Sequence, residues 1–214
     1  MSTGLLFVTA PEADHKLINS LLLHIRDWEF GSGDRFKLVT TKNAYDLEDG
    51  PEKTSSAATQ NPDETSPPLS SSPDNGWAGA ALEDVEAFCM DLMRDEELGT
   101  SYHAGQFVVV DSTDVQAHTC ILGHRAIDEE AADFAYLDRY NKMRVPWDKL
   151  YSPWCNLDIA NMNFEEFTQE EDDGRPGVDG WFTFRDIMEG DDLSADNRRK
   201  RDREIQRFRD AGHI

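Results

Sequence analysis

The sequence predicts an α/β fold, a small mixed β-sheet with helices packed on it, and three observations carry that expectation. Residues 4–10 (GLLFVTA) and 106–111 (QFVVVD) are short apolar runs closed by turn or charged residues, as buried strands are. Two other stretches repeat their apolar residues at helical spacing. Hydrophobic residues make up 38% of the 214, with five Trp and eleven Phe, so there is enough large apolar surface for a core.

After the first strand, Pro11 is expected to open a helix reaching Trp28. Leu17, Ile18, Leu21, Leu22 and Ile25 form its apolar stripe, with Glu12 and Asp14 in the first turn, where the helix dipole favours them. The glycines at 31 and 33 end it; following a helix, they do not make a phosphate cradle. Residues 35–41 (RFKLVTT) alternate as a second strand. Between 50 and 76 lie five of the nine prolines, and Leu69 is the only large apolar residue. Such a segment is expected to be a disordered Ser/Pro-rich insertion, because it cannot offset its ordering entropy by burial.

Order resumes at Trp77, with Leu82, Val85, Phe88, Cys89, Leu92 and Met93 on one helical face as far as Leu98. The strand at 106–111 and a neighbour at 117–123 (AHTCILG) then follow, joined by five residues that suit a hairpin or a short connection. Residues 128–140 are expected to be partly helical, and 143–145 a short edge strand. The steps Pro146-Trp147 and Pro153-Trp154 each suggest a short helix with proline at its first position. Residues 180–186 (GWFTFRD) are a last strand. One α/β domain thus spans 1–49 and 77–190, followed by a basic tail at 191–214.

The formal charge of −22 disfavours nucleic acid and anionic membrane and favours a basic protein partner. No apolar run approaches the roughly 18 residues of a membrane span. Cys89, Cys120 and Cys155 are too widely spaced for a disulfide framework or a zinc ribbon. These features, with no secretory apolar segment near the start, place the chain in the cytoplasm or the nucleus, with no metal and no cofactor expected. The sign of the charge reverses at 196–214, where seven basic residues face four acidic ones. Ser194 caps the helix expected there. Its cluster Arg198, Arg199, Lys200, Arg201 is either a tail interaction site resembling a nuclear import signal or a helix lying back on the acidic body.

The stretch NLDIANMNFEEF, 156–167, reads as a joint. Asn163 and Glu166 have the spacing of a capping box, with Met162 and Phe167 as its hydrophobic staple. Leu157, Ile159 and Ala160 are expected to be buried, holding Asn156 and Asn161 near the core, where their amides would tie loops together. A calcium loop is excluded by Ala160 and Met162 at ligand positions. This run, followed by Gly180-Trp181-Phe182, resembles the C-terminal signature of a bacterial and fungal family, domain of unknown function 6924. The resemblance is specific over 145–184 and topological before it. It implies a strand, helix, strand, helix order followed by a strand pair, and it implies no activity. The chain departs from the pattern in its 50–76 segment, its basic tail, and Asn163 where Asp is more usual.

Two functional readings follow. The leading one is a non-catalytic protein-interaction module. The alternative is a small enzyme built on Asp111, at the end of an apolar strand where α/β proteins often place catalytic groups, with His118, Cys120 and His124 nearby in sequence. No phosphate loop or serine elbow is present to suggest other chemistry.

Overall fold

The computed structural model describes residues 3–31, 33–47, 64–95, 104–128, 135–169, 178–187 and 193–214. Six strands, β1 (Gly4–Val8), β2 (Phe36–Leu38), β3 (Gln106–Val110), β4 (Thr119–Asp128), β5 (Ala135–Pro146) and β6 (Trp181–Phe182), make one mixed sheet. Its order is β2-β1-β3-β4-β5-β6. β1 runs parallel to both β2 and β3, β4 is antiparallel to β3 and β5, and β6 is parallel to β5. Five helices pack on it: α1 (His15–His24), α2 (Leu82–Arg94), α3 (Ser112–Ala117), α4 (Tyr151–Asp158) and α5 (Ala195–Asp210).

The two-residue period of the strands divides the core into two layers. On one face Leu6, Val8, Val108, Val110, Cys120, Leu122, Met143 and Val145 pack with Ile18, Leu21 and Leu22 of α1 and with Trp154 and Leu157 of α4. On the other, Leu5, Phe7, Phe107, Val109 and Ile121 meet Val85, Cys89 and Leu92 of α2 and the indole of Trp77. Since β1 and β3 are covered on both faces, every residue in them is buried, which is why they read as unbroken apolar runs.

Several elements differ from the sequence expectation, each for a physical reason. α1 begins at His15, because the carboxylate of Asp14 accepts the Leu17 amide 2.9 Å away and so fixes the cap; Pro11 and Glu12 lie in the preceding turn. The link between β3 and β4 is short, as expected, but is helical: the six residues of α3. Residues 135–140, expected to be partly helical, extend β5 into a ribbon with β4, and cross-strand pairing overrides their weak helical pattern. The segment 143–145 is internal, because β6 pairs outside it. Pro146 precedes its 3-10 turn, Trp147–Lys149, and Pro153 is the third residue of α4, so neither is a first helical residue.

Residues 64–76 are seated on the body. The Thr65 amide donates to the Phe36 carbonyl (2.8 Å), Leu69 and the Asn19 side chain exchange two hydrogen bonds, and Asn75 donates to the Val8 carbonyl (2.7 Å). Expected disorder therefore fails for 64–76: side-chain amides and hydroxyls satisfy a backbone that offers little apolar burial. The rest of that expectation, at 50–63, and the helix end at Leu98 lie outside the described residues.

The basic tail is folded too. Ser194 caps α5 by accepting the Asn197 amide, and Phe208 packs against Leu23 and Trp28 at the end of α1. Arg198, Arg199, Lys200 and Arg201 occupy the first two turns of that helix, with Arg199 paired to Asp196 and Arg201 to Asp202. Among the described residues no helix is long and apolar enough to cross a membrane.

Candidate binding cleft

At the end of β3, Asp111 caps α3. Its carboxylate accepts the Asp114 amide (2.9 Å) while Asp114 accepts the Asp111 amide (3.1 Å), a reciprocal capping box built from two aspartates. Arg144 of β5 binds Asp111 through both terminal nitrogens, at 2.6 and 3.2 Å, and also binds Asp114. Thr119 donates to Asp114 at 2.6 Å. Asp114 has no solvent exposure, and burial pushes its pKa up by more than Thr119, the Asp111 amide and Arg144 pull it down. Burial also raises Asp111, but there Arg144 and the amides of Asp114 and Thr113 outweigh it and the net shift is downward. The groups of this network satisfy one another, with Asp114 buried and Asp111 and Arg144 each about one-third exposed.

The other members of the enzyme alternative lie elsewhere. His118 ends α3 in the left-handed region (φ 54°), and its exposed ring stacks on Trp147 with centroids 4.9 Å apart. Cys120 faces the core, where burial pushes its thiol well above the usual range. His124 lies six residues beyond His118, roughly 20 Å along an extended chain, stacked near Phe164. Asp111, His118, Cys120 and His124 therefore do not form one site. Among the described residues no group of three or more His, Cys, Asp or Glu could hold a metal ion.

The stretch 156–167 is a joint, though built differently from the expectation. α4 closes with a Schellman motif: the Asn161 amide donates to the Asn156 carbonyl (2.9 Å) and the Ala160 amide to the Leu157 carbonyl (3.1 Å). Ala160 takes the left-handed position (φ 51°) that glycine usually fills. The hydrophobic clasp common in this motif is here a polar one, with the Asn161 side chain donating to Asn156 Oδ1 at 2.7 Å and Asn156 donating back to the Ser152 carbonyl. Leu157 is buried, but Ile159, Ala160 and Asn161 are exposed, because the motif turns the chain outward at that point. Asn163 then precedes the 3-10 turn Phe164–Phe167, and Glu166 accepts the Asn163 amide at 2.9 Å.

Beneath this joint lies a cleft of about 370 Å³, between residues 157–165 on one wall and the β4–β5 ribbon on the other. The ribbon exists because β4 and β5 continue past the end of β3, whose pairing stops at His124. It contributes His124, Asn141, Ile127 and Tyr136, the last 60% exposed. Asp158 and Glu165 bring carboxylates to the other wall. Asn141 is buried, donates weakly to Glu165 (3.4 Å), and has no bonding partner for its side-chain carbonyl. Arg125 lies over the Tyr136 ring and is tied to the Leu137 carbonyl and to Asp138. Asn141, Tyr136 and Glu165 gave no sequence signal as a set, since only the strand register brings them together.

The signature wall of this cleft is the segment that carries the family resemblance, and the family's sequence profile, Domain of unknown function (DUF6924), matches residues 49–178, more than half of the chain. The chain belongs to this family. No curated protein and no solved structure matches it. The matched range runs through the Pro-rich segment and stops short of α5, while β1, β2 and β6 of the same sheet lie outside it.

Proposed function

We propose that this DUF6924 chain is a non-catalytic interaction module whose cleft beneath the signature joint receives a basic, extended segment of a partner protein. One observation carries the reading: the joint uses its own amides in internal hydrogen bonds while leaving an open, half-polar cleft beside it. Asp158 and Glu165 provide negative charge, the net charge of −22 draws basic partners toward the surface, and Ile127 and Tyr136 offer apolar contact for the stems of Lys or Arg. The hydrogen bonds that Asp111, Asp114 and Arg144 already make to one another support structure in preference to catalysis. Three buried free thiols support the reading of a reducing compartment, the cytoplasm or the nucleus.

The test is selection of displayed random peptides against the full chain. Enrichment of Lys- and Arg-containing peptides is expected, with binding weakened about tenfold or more by the double variant Asp158→Lys, Glu165→Lys, as loss of charge-assisted contacts implies. Enrichment without basic residues, or binding indifferent to the double variant, overturns the proposal.

A further inference from the structure

We infer that a second cleft, on the other flank of α4, is a site for a small organic monoanion with an apolar body, of the aryl- or medium-chain carboxylate class. Ser152, Cys155, Asn156 and Ile159 follow one helical stripe and form its floor, and the loop after α1 and the start of α5 form its sides. The volume is about 280 Å³, near the small end of ligand cavities. Trp28, Phe30, Tyr151, Ile159 and Leu193 make it largely apolar. Phe30 is 74% and Ile159 52% exposed, so two of the large apolar side chains this fold leaves in water converge on one cavity. An isolated exposed residue needs no explanation, but a concave pair does.

The polar group that selects the ligand is Arg201. Its side chain is only 14% exposed, and among the described residues its single bond is from Nε to Asp202, at 3.3 Å. The two terminal nitrogens, which together match the two oxygens of a carboxylate, make no bond there. Apart from Asp148, the other charges on the walls are already engaged. Arg26 donates twice to Asp34, at 2.8 Å each, and Glu29 accepts the Ser194 amide and the Asn197 side chain. The Nδ1 atom of His24 meets the Ser20 carbonyl at 2.7 Å. Asp148, also on the wall, together with the strongly acidic chain, disfavours a dianion such as a phosphate monoester and leaves a monoanion as the fitting charge. His24 to Phe30, Leu193 and Arg201 lie outside the range matched by the family profile, so the cavity is assembled from the matched core and the flanking segments together.

The experiment is calorimetric titration of the full chain with 4-phenylbutyrate and, separately, with its neutral amide. Saturable binding of the acid is expected, with the amide weaker by about tenfold or more, the usual value of a charge-assisted pair. Arg201→Gln should bring the two probes to similar affinity. Ile159→Asp, at an exposed position, should weaken the acid whether or not Arg201→Gln disturbs α5, which circular dichroism will report. No binding of either probe at millimolar concentration, equal binding of acid and amide, or unchanged acid binding in both variants would overturn the inference. None of these outcomes bears on the peptide cleft.

Discussion

The end of β3 and the end of α4 draw on the same residue types, short carboxylates and amides next to apolar core, and put them to opposite uses. Around Asp111, two carboxylates, a hydroxyl, two backbone amides and a guanidinium satisfy one another, and of these groups Arg144 alone also lines an open groove, with Trp181 and Phe182. At the end of α4, Asn156 and Asn161 close the helix with three hydrogen bonds to their own neighbourhood, and the chain leaves a cleft on each flank. A carboxylate at a strand end is therefore weak evidence of chemistry unless something lies open in front of it.

The largest effect that would break this contrast comes from Arg144→Met. It strands Asp114 in the core, and removing one partner of a buried pair typically costs about 3–5 kcal/mol. Because Arg144 is itself one-third exposed, the lower end of that range is expected, read by urea unfolding at neutral pH. The pH dependence has a definite sign. In the native chain Asp111, with its lowered pKa, contributes stability that is complete above its ordinary 3.8 and is lost as pH falls through the lowered value. Asp114 works the other way: its pKa is raised, so its protonation favours the folded state as pH falls from the raised value toward the ordinary one. Since losing Arg144 raises Asp114 further, the deficit of Arg144→Met should narrow in mild acid; a deficit independent of pH would mean that Asp114 is not the group left uncompensated.

Next in size is Asn161→Ala, which removes the polar clasp of the Schellman motif. A loss of about 0.5–1.5 kcal/mol is expected, with faster amide exchange confined to the last turn of α4. Smaller and opposite in sign is Ala160→Gly. Relief of the left-handed strain should raise stability by roughly 0.4–1 kcal/mol, offset in part by the extra freedom glycine gives the unfolded chain. If thermal unfolding instead shows Ala160→Gly to be destabilising, the methyl group contributes to packing at the cleft. The smallest effect belongs to Asp158→Lys with Glu165→Lys, expected to shift stability by no more than about 1 kcal/mol, since both positions are partly exposed. A much larger loss would make this wall part of the scaffold and bring it closer in kind to the Asp111 network.

The division between what the sequence reveals and what it hides follows the range of the interactions. β1 and β3 are legible because burial on both faces leaves an unbroken apolar run, and α2 because one face alone is buried. The Asn163–Glu166 spacing announces its cap because the bond spans only three residues. Arg144 gives no local sign of its role: it meets Asp111 from 33 residues away, and only the antiparallel register delivers it. The ribbon at 135–140 was hidden because both of its faces are wet near the tip, which erases the two-residue alternation. Order at 64–76 was hidden because Asn19, Thr65 and Asn75 hold that segment through polar contacts that composition does not register. Both clefts are assembled from distant segments, and although the signature run supplies one wall of the first, the ribbon that faces it is brought there only by strand register.

The most direct test of the account is a backbone NMR titration of the chain with a Lys/Arg-rich peptide recovered by the selection described above. The account predicts shift changes at His124, Asn141 and residues 157–165, with Asp111, Asp114 and Arg144 unmoved, and loss of those changes in the Asp158→Lys, Glu165→Lys variant. Shifts centred on the Asp111 network, with the cleft residues silent, would contradict it.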